Sequence, residues 1–131
     1  MKDHPNISFV KQIGSAIQAG DIGRAHNVLA DRVAWHYFNP RLPELAGDYV
    51  GIAAVAAFFE KVSARTGGTF RVEPVSAYAA GDELVVTHAR LQLTLETRQI
   101  HTDAVVVWRV HNDRVVEVWD IPAVQAPPAD V

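Results

Sequence analysis

Apolar residues recur at three- and four-residue spacing in the first half of the chain and become near-continuous β-branched runs in the second. Ile7, Val10, Ile13 and Ile17 share one helical face, with Asn6 as the expected N-cap and Gly20 as the stop. Asp21 then caps a second expected helix carrying Ile22, Ala25, Val28 and Leu29. The period shortens at Arg32 to Phe38, RVAWHYF, a predicted strand ended by Asn39-Pro40. The following NPRLPELAGDYVG has no periodicity and reads as a loop. A third helix is expected next, with Ile52, Val55, Phe59 and Val62 on one face and Thr66-Gly67-Gly68 at its end.

From Phe70 onward the pattern is strand: 70–79, then 84–95 after a Gly81-Asp82 turn, then a long hairpin from Asp103 to Ile121. Val105-Val106-Val107-Trp108 and Val115-Val116 do not alternate with polar residues, so both faces of the hairpin need cover. A two-residue turn at Asn112-Asp113 would set Trp108 opposite Glu117. A three-residue loop, His111 to Asp113, would instead pair Trp108 with Val116, Val106 with Val118 and Ala104 with Asp120. One residue of slip inverts every side chain. Helices first and strands afterward is an α+β pattern, with helices on one face of a mostly antiparallel sheet. Leu84, Val86, Val105, Val107 and Trp119 would then form an apolar patch on the other face, and a symmetric homodimer is the expected cover.

With 131 residues the chain fits one domain, expected over 1–122, followed by a loose Pro- and Ala-rich tail at 123–131. An apolar share of 49% with 21% charged residues is an ordinary globular balance. The net charge of −3 offers no footprint for nucleic acid or an anionic membrane. No apolar run suits a membrane span or a signal core, so a cytoplasmic location is expected. With no cysteine, thiolate chemistry and disulfides are excluded. The six histidines show no metal-ligand spacing, so no metal and no cofactor are expected.

Several stretches resemble the nuclear transport factor 2-like superfamily, in particular its SnoaL-like, ketosteroid-isomerase-related group. They are Ala19-Gly20-Asp21-Ile22, Leu29 to His36 (LADRVAWH), Ala46 to Gly51 (AGDYVG) and Trp108 to Glu117 (WRVHNDRVVE), and together they run through nearly the whole chain. The resemblance implies a cone: a strongly bent sheet wrapped around three helices, with a deep pocket at the open end. It also implies the three-residue hairpin loop, which aims Ala104, Val106, Trp108, Val118 and Asp120 at that pocket.

Known chemistries of the superfamily match in part. The tyrosine and two aspartates of the steroid isomerases fall on Ile13, Tyr37 and Val106, so that mechanism is not expected. The paired arginine and aspartate of the limonene-epoxide-hydrolase type fall on Ala89 and Leu91. Its remaining aspartate, and the acid/base aspartate of SnoaL-type polyketide cyclases, fall on Asp120. A carboxylate among Val106, Trp108 and Val118 is poorly solvated, which raises its pKa toward the range useful for proton transfer. The other reading of Asp120 is a solvated strand-end residue near Pro122.

The resemblance thus implies Asp120 as acid/base and Tyr37, with Trp35, as the groups that orient a substrate. Trp108, Val106, Val118, Ala89, Leu91 and Ile13 would line its pocket. Core packing is the alternative for Trp35 and Trp108. His36, His88 and Arg90 fall on the opposite face, toward the expected dimer partner. Three functions stay open: a cofactor-free isomerase, cyclase or hydrolase on a small lipophilic molecule; a ligand-binding module; and a structural dimerisation domain.

Overall fold

The computed structural model describes residues 4–124. In chain order the elements are α1 (Pro5–Gln18), a 3-10 turn (Ile22–Ala25), β1 (Leu29–Tyr37), β2 (Gly47–Val50), α2 (Ile52–Arg65), β3 (Arg71–Ala80), β4 (Leu84–Leu95), β5 (Arg98–His111) and β6 (Arg114–Pro122). The apolar stripe of α1 is buried at Ile7, Val10, Ile13 and Ala16. Its N-cap is His4, not Asn6: the His4 ring accepts from the Asn6 amide, and Pro5 supplies a preset first turn. Asn6 is instead buried, and its Nδ2 donates to the Asp82 carbonyl at 2.9 Å, tying the helix to the β3–β4 turn. At the other end Asp21 N donates to Ala16 O and Gly20 N to Ile17 O, a Schellman stop with Gly20 at φ 71°.

The second expected helix is absent; among the described residues there are two α-helices, not three. Gly23 and Asn27 are weak helix formers, and nine residues from Asp21 to Leu29 are too few to offset nucleation. A single 3-10 turn buries Ile22 and Ala25 at three-residue spacing, and Leu29 already belongs to β1. The expected loop before α2 contains the short edge strand β2, whose four residues are too few to show a period.

The six strands lie in the order β2-β1-β6-β5-β4-β3. The sheet is mixed: β1 runs parallel to β6, and every other neighbour is antiparallel. Both helices contribute to one core against one sheet face, where Val33, Trp35, Val85, Trp108, Val115 and Val118 are buried.

The β5–β6 hairpin corrects the expected three-residue loop. His111 pairs with Arg114 across a two-residue turn, with Asn112 and Asp113 both at positive φ, 52° and 62°. A bulge then follows: Val110 pairs with Val115, but Arg109 pairs with Glu117. The extra residue restores the face that the longer loop would have set. Trp108 therefore pairs with Val118, Val106 with Asp120 and Ala104 with Pro122, two residues along from the expected partners and on the same side. Beyond β6, Ala123 N still donates to Asp103 O, while the rest of the expected loose tail, 125–131, lies outside the described residues.

Candidate active site

Asp120 reaches its place through sheet register alone. β6 sets it directly across from Tyr37 of β1 on one side and Val106 of β5 on the other. Thr87 of β4 continues the same row. The next row holds Trp35, Val118, Trp108 and Val85, all buried. Trp35 meets Trp108 and Phe59 edge to face, at 5.5 and 5.3 Å between ring centroids. That packing fixes the indole so that its Nε1–H donates to Asp120 Oδ2 at 3.3 Å.

Asp120 is half-buried, and its side chain accepts this long hydrogen bond from a neutral donor. Burial disfavours its ionised form, and the Trp35 N–H only partly compensates, so its pKa is pushed up to about 6. Near neutral pH such a carboxyl can release and recover a proton. Tyr37 behaves differently. Burial is the main reason its hydroxyl is pushed up to about 12, with the Asp120 charge adding to the effect. It stays protonated, so its O–H is available to donate.

Asn39 completes the arrangement and was not expected from the sequence, where it reads only as the partner of Pro40 in a strand stop. It is buried; its Nδ2 donates to Tyr37 Oη at 2.8 Å, and its Oδ1 accepts from Arg41 N at 2.9 Å. The Arg41 amide settles which end of the side chain is oxygen. The Tyr37 oxygen is thereby occupied as an acceptor, which leaves its O–H free to point elsewhere. The available signal was parity: a polar side chain two residues beyond Tyr37. Thr87 is a second polar residue on the inner face, where its Oγ1 accepts from Trp108 Nε1 at 2.9 Å.

The other sequence-selected positions divide. Val106, Trp108 and Val118 neighbour Asp120 on the inner face. Ala89 lies one row further, across from Ala104. Ile13 is fully buried on α1 within the core. Leu91 lines a separate depression of about 300 Å³ with Gln18, Arg71 and Thr102. A second, wider recess of about 510 Å³ borders Tyr37 and Asn39, with Pro40, Pro43 and Gly47 on its far side. Asp120 lines neither of these two. His36, His88 and Arg90 face away, as their parity requires. Among the described residues no cluster of histidines and carboxylates has metal-binding geometry, and no helix is long and apolar enough to cross a membrane.

The SnoaL-like domain profile matches residues 10–118, most of the chain. The chain belongs to the SnoaL-like domain family. No curated protein matches it. This SnoaL-like domain is similar to the solved structure of Bal32a, from a soil-derived mobile gene cassette: 22% identity over 91% of this chain and 89% of that one, TM-score 0.80. It is similar to TerC, co-crystallised with polyporic acid, at 22% identity, covering 90% and 91% of the two chains with TM-score 0.79. A nuclear transport factor 2-like protein of unknown function from Burkholderia pseudomallei shares 26% identity over 92% and 90%, TM-score 0.78. These likenesses establish the nuclear transport factor 2/cystatin-like α+β fold of the SnoaL-like domain.

Proposed function

We propose that this SnoaL-like domain is a cofactor-free acid–base enzyme acting on a small lipophilic molecule. Asp120 moves the proton, and Tyr37, held by Asn39, donates a hydrogen bond to the substrate oxygen. The observation that carries the reading is the half-buried Asp120 carboxyl, raised to about 6 and contacted by one neutral indole N–H. A structural aspartate in such a place would be expected to recruit an arginine, a lysine or backbone amides. The reaction class is isomerisation, cyclisation or hydrolysis, since each can use one proton carrier and one hydrogen-bond donor near a carbonyl or hydroxyl. In this reading the sheet closes as a cone whose mouth opens at the recess beside Tyr37 and Asn39. The ligand in the TerC structure supports a small organic molecule as the occupant of such a fold.

A thermal-shift screen of lipophilic ketones, epoxides, lactones and aromatic polyketides tests the reading. A compound that stabilises the protein and is turned over should lose roughly 100-fold or more in turnover with Asp120→Asn, the scale of acid–base catalysis, with binding retained. Binding without turnover would make the domain a ligand-binding module instead.

A further inference from the structure

On the opposite face of the sheet, across from Trp119 and one residue before Tyr37, His36 is held between two carboxylates. Its Nδ1 lies 2.6 Å from Asp48 Oδ1 on β2, and its Nε2 lies 2.7 Å from Glu117 Oε2 on β6. A neutral imidazole has one N–H and one lone pair. In that form one ring nitrogen would face a carboxylate oxygen lone pair to lone pair at hydrogen-bond distance. The imidazolium, with a donor on each nitrogen, satisfies both contacts. The ring also stacks on Trp119, with centroids 5.8 Å apart.

We propose that the His36 imidazolium is a positioning residue for the Asp120 site, a clamp that fixes β2 and β6 against β1 from behind. Three features of the fold give the clamp this consequence. First, the parallel β1–β6 ladder has a register shift between Leu29 and Ala34, so only the stretch from Ala34 to Tyr37 sets Trp35 against Val118 and Tyr37 against Asp120. His36 lies at the centre of that stretch. Second, the Glu117 contact is diagonal, because Glu117 is paired with Ala34, so it resists sliding of one strand along the other. Third, β2 is a four-residue edge strand, and Asp48 sits across from His36 on it. The next residue, Tyr49, packs on Phe58, which in turn packs on Tyr37.

The charged groups facing His36 are Asp48 from β2 and Glu117 from β6. From β5, Arg109 is cross-strand from Glu117, sits over the Trp119 ring and is paired with Glu83 at 3.7 Å. Asp48 and then Glu117 raise the His36 pKa above its ordinary 6.5, against a lowering by burial. Asp48 is 72% exposed and Glu117 33%, so solvent screens the Asp48 arm more and Glu117 is the firmer anchor. A raised histidine is stabilising below its unfolded pKa, and the contribution is lost as pH rises through the folded value. The clamp therefore contributes fully below the ordinary histidine value of 6.5 and is lost as pH rises through the higher folded value.

The inference rests on Asp120 as the site group, and one set of NMR titrations on labelled protein separates the two. The resonances followed are the His36 ring nitrogens, the Trp35 indole N–H and the Asp120 carboxyl carbon, in wild type, Glu117→Gln and His36→Gln. The expected results are a His36 midpoint above 6.5, lowered in Glu117→Gln, and a Trp35 indole shift that shows the His36 midpoint as a second inflection beside that of its hydrogen-bond partner Asp120. In His36→Gln the Asp120 midpoint should change, and His36→Arg, which keeps a charged donor to both carboxylates, should restore it. If His36 titrates at its ordinary value, or the Trp35 resonance ignores it, the positioning role is overturned. The role also falls if Asp120 titrates identically in wild type and His36→Gln. If wild-type Asp120 itself titrates as an ordinary aspartate, the catalytic reading fails instead. Should His36→Gln not fold, Glu117→Gln still decides: the second Trp35 inflection must move with the lowered His36 midpoint, and a Trp35 titration that does not move overturns the role.

Discussion

A carboxyl raised by burial is a charge that the fold tolerates at a cost. For Asp120 the raised value, about 6 against an ordinary 3.8, means that folding favours the protonated form. Its contribution is most favourable below about pH 4 and is lost as pH rises through 6. Asp120→Asn removes that penalty, so the variant should be more stable than wild type at pH 8, by roughly 1–3 kcal/mol after allowing for the partial exposure of the group. The gain should shrink toward zero near pH 4; urea melts at the two pH values measure it. A residue that costs stability where it stands fits a functional role better than a structural one. Tyr37→Phe removes the donor and should lower turnover of any substrate found by roughly 100-fold, and Asn39→Ala should lower it less, in the same direction. The inner-face place of Asp120 was legible in the sequence because the resemblance fixed the side of the hairpin on which it lies. Asn39 was not, because an asparagine before proline carries the same local signal whether it merely ends a strand or turns back to hold a hydroxyl.

Among the elements, the strands were more legible than the helices. Long β-branched runs between Gly81, Asn112 and Asp113 leave few alternatives, and β4 runs over the expected 84–95. The helical pattern at Ile22, Ala25, Val28 and Leu29 misled because two apolar pairs at three-residue spacing suit a single 3-10 turn followed by a strand as well as a helix. The β5–β6 hairpin shows how a correct face can follow from an incorrect loop. Neither the turn nor the bulge is specified by hydrophobicity, since Val115 and Val116 are alike, and only their sum fixes the side to which Asp120 points. The turn itself retains strain, because Asp113 holds φ 62°. Asp113→Gly should raise stability by about 0.5–1 kcal/mol, visible as a higher melting temperature with no change in the site. A lower melting temperature would show that the Asp113 side chain contributes something that the turn geometry does not.

For the molecule as a whole, the outer sheet face is the unpartnered surface. Val105, Ile121 and Tyr78 are exposed there, at 42%, 44% and 57%. We propose that a second copy of the chain covers it. Trp119 is less bare than its sequence position implies, since the His36 ring and the Arg109 guanidinium lie against it. Val105→Lys is therefore the sharper probe. It should shift sedimentation from dimer toward monomer at micromolar concentration, and a wild-type protein that is already a folded monomer would refute the dimer. Acid–base chemistry in this domain depends on the state of a single carboxyl on the inner sheet face, and titration of the Asp120 carboxyl carbon by NMR reads it directly. The expected midpoint is about 6. A midpoint at the ordinary 3.8 would contradict it, because Asp120 would then be a solvated strand-end aspartate with no special hold on a proton.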